Sequence, residues 1–273
     1  MGLEGQLEKM RVVDAGSGGG LRGQVGWPRW FKTTIWSTVR RAGAPGNQGA
    51  WSGLCRAYWY PIYAFLRSLG LGQEEAEDVT QGFFATLLKP GALDVADPAK
   101  GKFRTWLRTC ARHYFLNHRD SARAAKRGRG KVATGFDLDR ADRDVRPLMM
   151  DESLTPEEIF DRSWAVTVTE LAMTRLAEAY EREGRGDIFR ELHGRLGGEQ
   201  SPLSDADLAA LLGKKPGAIR TERSRRNDEL EARYHRFLRA EIAKTVRSPE
   251  AIDAELGHLV DALGLASRNG KAP

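Results

Sequence analysis

Two cysteines, Cys55 and Cys110, are the only thiols in this chain of 273 residues. So few exclude a disulfide framework and a four-thiolate zinc site, and they point to a reducing compartment. The five histidines are scattered. His113 and His118 stand five apart, off the four-residue spacing at which one helix face would offer two imidazoles to a metal. Long apolar runs are missing too. The opening MGLEGQLEKMRVVDAG has no apolar stretch of signal-peptide length, and no run approaches the ~20 residues of a membrane span, so a cytoplasmic protein with no membrane partner is expected. No segment sustains alternation at period two, which predicts an all-α fold. Nucleophile elbow, phosphate loop and zinc spacing are all lacking, and no cofactor, metal or enzymatic activity is expected.

What is present is a chain 41% hydrophobic and 29% charged, enough to bury a sizeable core. Lys and Arg number 43 against 37 acids, for a net charge of +6, a balance compatible with a polyanionic partner. Residues 1–28 include the glycine-rich GSGGGLRG and read as a flexible tail. Gly18, Gly20 and Gly23 match a dinucleotide-loop spacing, but no strand precedes them, and composition bias explains the match.

The rest divides into two small helical domains joined by a flexible linker. In the first, 29–126, apolar residues at 54, 58, 62, 65, 66 and 69 form a helix stripe in which Pro61 predicts a kink or restart. Ala76, Val79, Phe83 and Leu87 form a second stripe, and Phe103, Trp106, Leu107, Cys110 and Tyr114 a third. Residues 127–154 lack periodicity and read as the linker. The second domain, 155–247, opens on TPEE, with Thr155 as N-cap and Glu158 placed to close a capping box. Residues 248–273 make a helical extension and tail.

LSDADLAALLGKKPGAIRTERSRR is the most specific local signal. Ser204 caps a helix, Ala209 is small, Gly213 ends the helix, and Ile219 lies six further on, spacings that suit a helix-turn-helix. With Ile219 inward, Arg220, Thr221 and Ser224 are candidates to face a major groove, Lys215 and Arg223 being further DNA-binding candidates among the six basic residues between 214 and 226. An ordinary surface hairpin is the alternative. Arg223 and Arg226 fall where apolar residues would support such a helix, which predicts loose docking and weak binding to DNA alone.

A second basic cluster holds Arg119, Arg123, Lys126, Arg127, Arg129 and Lys131. It extends a helix bearing Phe103, Trp106, His113, Tyr114 and Asn117, so rings that stack bases adjoin charges that track phosphates; those rings could equally be core. Glu74, Glu75, Glu77 and Asp78 could be metal ligands of a nuclease, but their spacing spreads them around a helix start, where acids complement the dipole.

FKTTIWSTVRRAG (31–43), LCRAYWYPIYAFLRSLG (54–70), AEDVTQGFFATLL (76–88), GKFRTWLRTCARHYFLNHRDSARAAKRG (101–128) and LRAEIAKTVRSPEAIDAEL (238–256), in this order, resemble the blocks of a bacterial RNA polymerase sigma factor of the extracytoplasmic-function-like group. The resemblance implies a factor that binds core polymerase and directs promoter recognition, melting and initiation. It implies that Asp78, Gln81, Phe84 and Ala85 dock on the clamp helices of the largest subunit. Phe103, Arg104 and Trp106 would form a strand-separating surface for the minus-ten element, with His113 and Asn117 near a flipped base and Arg119 and Arg123 on the backbone. Lys215, Arg220, Thr221, Arg223 and Ser224 would meet the minus-thirty-five element. Promoter DNA is the second partner, and an anti-sigma factor is left open as a third. Gly82 stands where many sigma factors carry Glu. A free-standing helix-turn-helix regulator is the alternative reading.

Overall fold

The computed structural model describes residues 48–89, 91–96, 101–124, 137–193, 196, 209, 215, 219–244, 246 and 248–264. Among them the ordered elements are helices: α1 Gln48–Ser68, α2 Gln73–Leu87, α3 Phe103–Ala124, α4 Leu138–Met150, α5 Pro156–Arg182, α6 Gly186–Leu192, α7 Ile219–Ala243 and α8 Ala251–Ala262. The fold is all-helical, as the lack of period-two alternation predicts. The tail 1–28, the block 31–43 and most of the expected helix-turn-helix lie outside the described residues. Of that motif, Ala209 and Ile219 are described and share one buried cluster.

Chain contacts divide the protein after Val168 and again after Glu241. One unit holds α1 to α4, the Pro156–Val168 part of α5, and α8. The other holds the remainder of α5, with α6 and α7 up to Glu241.

In the first unit α1 is the central element. Tyr58, Trp59, Ile62, Tyr63, Ala64, Phe65 and Leu66 are all buried, so this helix is apolar nearly all round, as a helix covered on several sides must be. It packs against α2, α3 and α4. Pro61 neither breaks nor restarts it: α1 runs unbroken through that position, where Pro61 and its neighbours Ile62 to Leu66 are buried. Gly70, at φ 96, ends the turn beyond α1 in the left-handed region that favours glycine. Cys55 on α1 is half-buried, and burial pushes its thiol up to about 11; burial also raises Cys110 on α3.

The stretch read as linker contains α4, and the difference has a physical cause. LDRADRDVRPLMM buries only Ala141, Asp142 and Val145, too narrow a stripe for periodicity to reveal. Its start is capped by Asp137, whose side chain accepts from the Arg140 amide at 2.9 Å, and its attachment to α1 is electrostatic. Asp142, 2% exposed, accepts hydrogen bonds from Tyr63 Oη at 3.1 Å, Arg67 Nε at 2.8 Å and Arg146 Nε at 2.7 Å. Burial alone would raise its carboxyl, but the Arg146 and Arg67 bonds outweigh it and hold Asp142 below the ordinary range. The capping box expected at the head of α5 is present. The Thr155 amide donates to Glu158 Oε2 at 2.8 Å, and the Glu158 amide donates back to Thr155 Oγ1 at 3.2 Å.

Asp142→Ala leaves Arg67 and Tyr63 facing an empty counter-charge, and the expected loss is about 3 kcal/mol in urea denaturation. A loss below a few tenths would remove Asp142 as the α1–α4 fastener. Because its folded pKa is depressed, its contribution is complete above the ordinary value of 3.8 and is lost as pH falls below that through the folded value. Asp142→Asn therefore flattens the acid limb of a stability-against-pH curve.

Candidate polymerase and nucleic-acid interface

α2 starts without a side-chain cap; Glu74 and Glu75 in its first turn set negative charge against the positive end of the helix dipole. Ala76, Val79, Thr80, Phe83, Phe84 and Leu87 are buried. Asp78 and Ala85 are exposed and Gln81 is half-buried, and at spacings of three and four they form one ridge. Gln81 is oriented within it, donating from Nε2 to Glu77 Oε1 at 2.9 Å.

Phe84 does not belong to that ridge. It is 5% exposed, edge-on to Trp51 at 6.1 Å and to Phe83 at 5.6 Å. The stripe read from Ala76, Val79, Phe83 and Leu87 is wider than those four positions, and Phe84 completes it one turn above Thr80.

Gly82, between the ridge and α3, has a packing reason. A Cβ there would collide with the Tyr114 hydroxyl and come within 3.4 Å of ring atom Cζ. The tyrosine, 5.9 Å from Phe83 between ring centroids, occupies the room a side chain would need. Glycine in mid-helix costs about 1 kcal/mol against alanine, and here it leaves room for the Tyr114 side chain of α3.

α3 carries three distinct faces. Phe103, Leu107, Ala111 and Phe115, four apart, are buried. Arg104, Arg108 and Arg112 form a second row, over which α5 and α8 lay carboxylates. Arg104 pairs with Glu255 and, through Nε, with Asp161 at 3.4 Å; Arg108 meets Asp161 at 3.3 Å; Arg112 pairs with Glu157. The third face is open: Thr105, Thr109, His113, Asn117 and Arg119 are exposed, and Trp106 is half-buried. Trp106 leans on Phe103 at 5.5 Å, and the Arg119 guanidinium lies 5.7 Å from the Phe115 ring.

Two residues expected on a strand-separating surface are therefore interior. Phe103 is 0% exposed and edge-on to Tyr58 at 5.5 Å. Arg104 is 4% exposed, with its guanidinium 4.7 Å from the Trp164 ring centroid. Burial pulls Arg104 below its ordinary value, and the Asp161 charge works against that pull. At Asp161 burial acts upward, but His258, Arg104 and Arg108 hold the carboxyl below its usual range. Sequence alone gave no sign of Glu157, Asp161 and Glu255 as partners, because they come from helices far along the chain. The Arg123 side chain lies outside the described residues.

In the second unit, Lys215, Thr221 and Ser224 are exposed, and the Arg220 side chain lies outside the described residues. Arg223 turns inward, as its position beside Ile219 predicts and against its candidate role at a groove: 14% exposed, it stands 3.7 Å from Glu191 of α6. Arg226 donates to Glu222 Oε1 at 2.8 Å. The charges at these two inward positions are met by carboxylates. Hydrogen bonding from Arg225, with the nearby Arg226 charge, pushes Glu222 down to about 2.

Among the described residues no group of three His, Cys, Asp or Glu is placed to hold a metal ion, and no helix is long and apolar enough to cross a membrane. Residues 54–125 match the family model described as Sigma-70 region 2, which takes in α1 from Leu54 and the whole of α2 and α3. No curated protein and no solved structure matches the chain. The family match supports a sigma-70 family member, with a part in RNA polymerase binding and promoter recognition. Such proteins are transcription initiation factors without enzymatic activity.

Gly82→Ala and Tyr114→Phe form a double-mutant cycle. Alone, the alanine gains helix propensity but displaces the tyrosine; beside phenylalanine the collision is gone, and about 1 kcal/mol of propensity is recovered. Additive urea midpoints would show that the hydroxyl does not set the α2–α3 spacing.

Proposed function

We propose that this chain is a sigma factor of the extracytoplasmic-function-like group, binding core polymerase through the α2 ridge and the melted minus-ten strand through the open face of α3. The carrying observation is that the region-2 match coincides with the helices bearing those two surfaces, which are at least partly exposed among the described residues. Asp78, Gln81 and Ala85 would meet the clamp helices of the largest subunit. Trp106 would stack on an unpaired base, with His113 and Asn117 supplying hydrogen bonds to base edges and Arg119 a charge for the backbone. Stacking of this kind contributes about 1–3 kcal/mol per base, which offsets the cost of unpairing.

Residues 29–126 would form the polymerase and minus-ten module and 155–247 the module for the minus-thirty-five element. Buried Ala209 and Ile219 support the helix-turn-helix reading of the latter, with Lys215, Arg220, Thr221 and Ser224 as its candidate DNA contacts. Arg223, engaged with Glu191, is left out of that set. The reading includes a cytoplasmic location.

The deciding experiment is capture by purified core polymerase. The chain should be retained, and Asp78→Ala with Gln81→Ala should weaken retention at least about tenfold, or ~1.4 kcal/mol, without lowering the urea midpoint. Failure to bind core polymerase, combined with tight sequence-specific duplex binding by the lone chain, would replace this reading with that of a free-standing regulator.

Trp106→Ala tests the melting surface separately. Polymerase retention should persist while permanganate reactivity of promoter thymines disappears; undiminished reactivity would remove Trp106 from the melting role.

A further inference from the structure

The arginine row of α3 plays no part in the open face, and its first member shares its counter-charge with a lysine. Glu255 of α8, 1% exposed, pairs through Oε2 with Lys102 Nζ at 2.7 Å and through Oε1 with Arg104. Lys102 is 45% exposed, so one buried carboxylate bridges a surface cation and an interior cation. His258, one turn further along α8, reaches Asp161 at 3.5 Å and lies 6.3 Å from Trp164. α8 thus lays a second tier of side chains over the carboxylate that already serves Arg104 and Arg108.

The helix supplying this charge is short. It has 12 residues, its N-cap position makes no side-chain bond, and helices of that length are marginal in water without a docked face. Ile252, Leu256, Leu259 and Val260 provide that face. Release of one such stripe, together with the Glu255 pair, is a local opening, of the kind that costs less than global unfolding.

We propose that Lys102 and Arg104 form a latent nucleic-acid phosphate site that Glu255 holds closed, α8 acting as a clasp that a single strand displaces when it reaches the start of α3. The proposal rests on the reading of α3 as the helix that faces melted DNA and adds its control: the open face is always available, whereas the basic start of the helix is released only by competition between phosphate and the Glu255 carboxylate. The closed state places an acidic group where the strand would run, so weak non-specific binding by the free chain is suppressed.

The test uses the full chain, without polymerase, and an oligothymidylate single strand. Glu255→Gln keeps size and shape and removes the charge. It should tighten binding several-fold at low salt and steepen the plot of log affinity against log salt by about 0.7–1.4, the value for one to two added phosphate contacts on a single strand. Asp261→Asn makes the same charge change on the same helix and should leave that slope unaltered. In the wild type, saturating oligonucleotide should speed hydrogen exchange over 251–262 while slowing it in α3.

Equal binding by the two variants, whether strong or absent, overturns the clasp. So does unaltered exchange in α8, or a Glu255→Gln chain that no longer folds, since α8 would then be a fixed brace. Because polymerase takes no part, these outcomes are separate from capture by core enzyme, which tests the function itself.

Discussion

A guanidinium taken out of water needs its counter-charge beside it, and the arrangement of the first unit follows from meeting that need at Arg104. The side chain is 4% exposed, bounded by a tryptophan ring and by carboxylates from two helices. Leaving a buried charge unpaired costs several kcal/mol. Asp161 and Glu255 must therefore arrive together with the arginine, which ties α5 and α8 to α3. The same rule operates at Asp142, where the roles of acid and base are exchanged and α4 is tied to α1. Apolar packing around α1 supplies the bulk of the core, while ion pairs decide which peripheral helix goes where.

Placement of these charges also sorts the surface of α3. Three arginines at one-turn spacing would make an indiscriminate polyanion binder if all were open. Paired with Glu157, Asp161 and Glu255, they leave Trp106, His113 and Asn117 to define the open face. Recognition of nucleic acid through a ring and short polar groups depends on the geometry of unpaired bases more than on total charge.

Helical class, the α2 stripe and the Thr155–Glu158 capping box were legible in the sequence because each depends on residues within a turn or two of one another. α4 was not: its anchoring acid, Asp142, reads as one more charge in a charged segment, and its main partner Arg67 lies far back on α1. Phe84, Phe103 and Arg104, which the resemblance sets on contact surfaces, are interior for the same reason in reverse, and so is Arg223, a candidate groove contact. An aromatic or basic residue on a helix faces core or solvent according to neighbours that arrive from elsewhere, and Trp51, Tyr58, Glu255 and Glu191 are such neighbours. Gly82 carried a partial signal, since glycine in mid-helix asks for an explanation, but the Tyr114 ring that provides it belongs to another helix.

The half-buried thiol of Cys55 has a consequence outside transcription. With its pKa near 11, about one molecule in ten thousand carries the thiolate at neutral pH, and only that form attacks peroxides or electrophiles at a useful rate. Oxidants would therefore react only slowly with this sulfur.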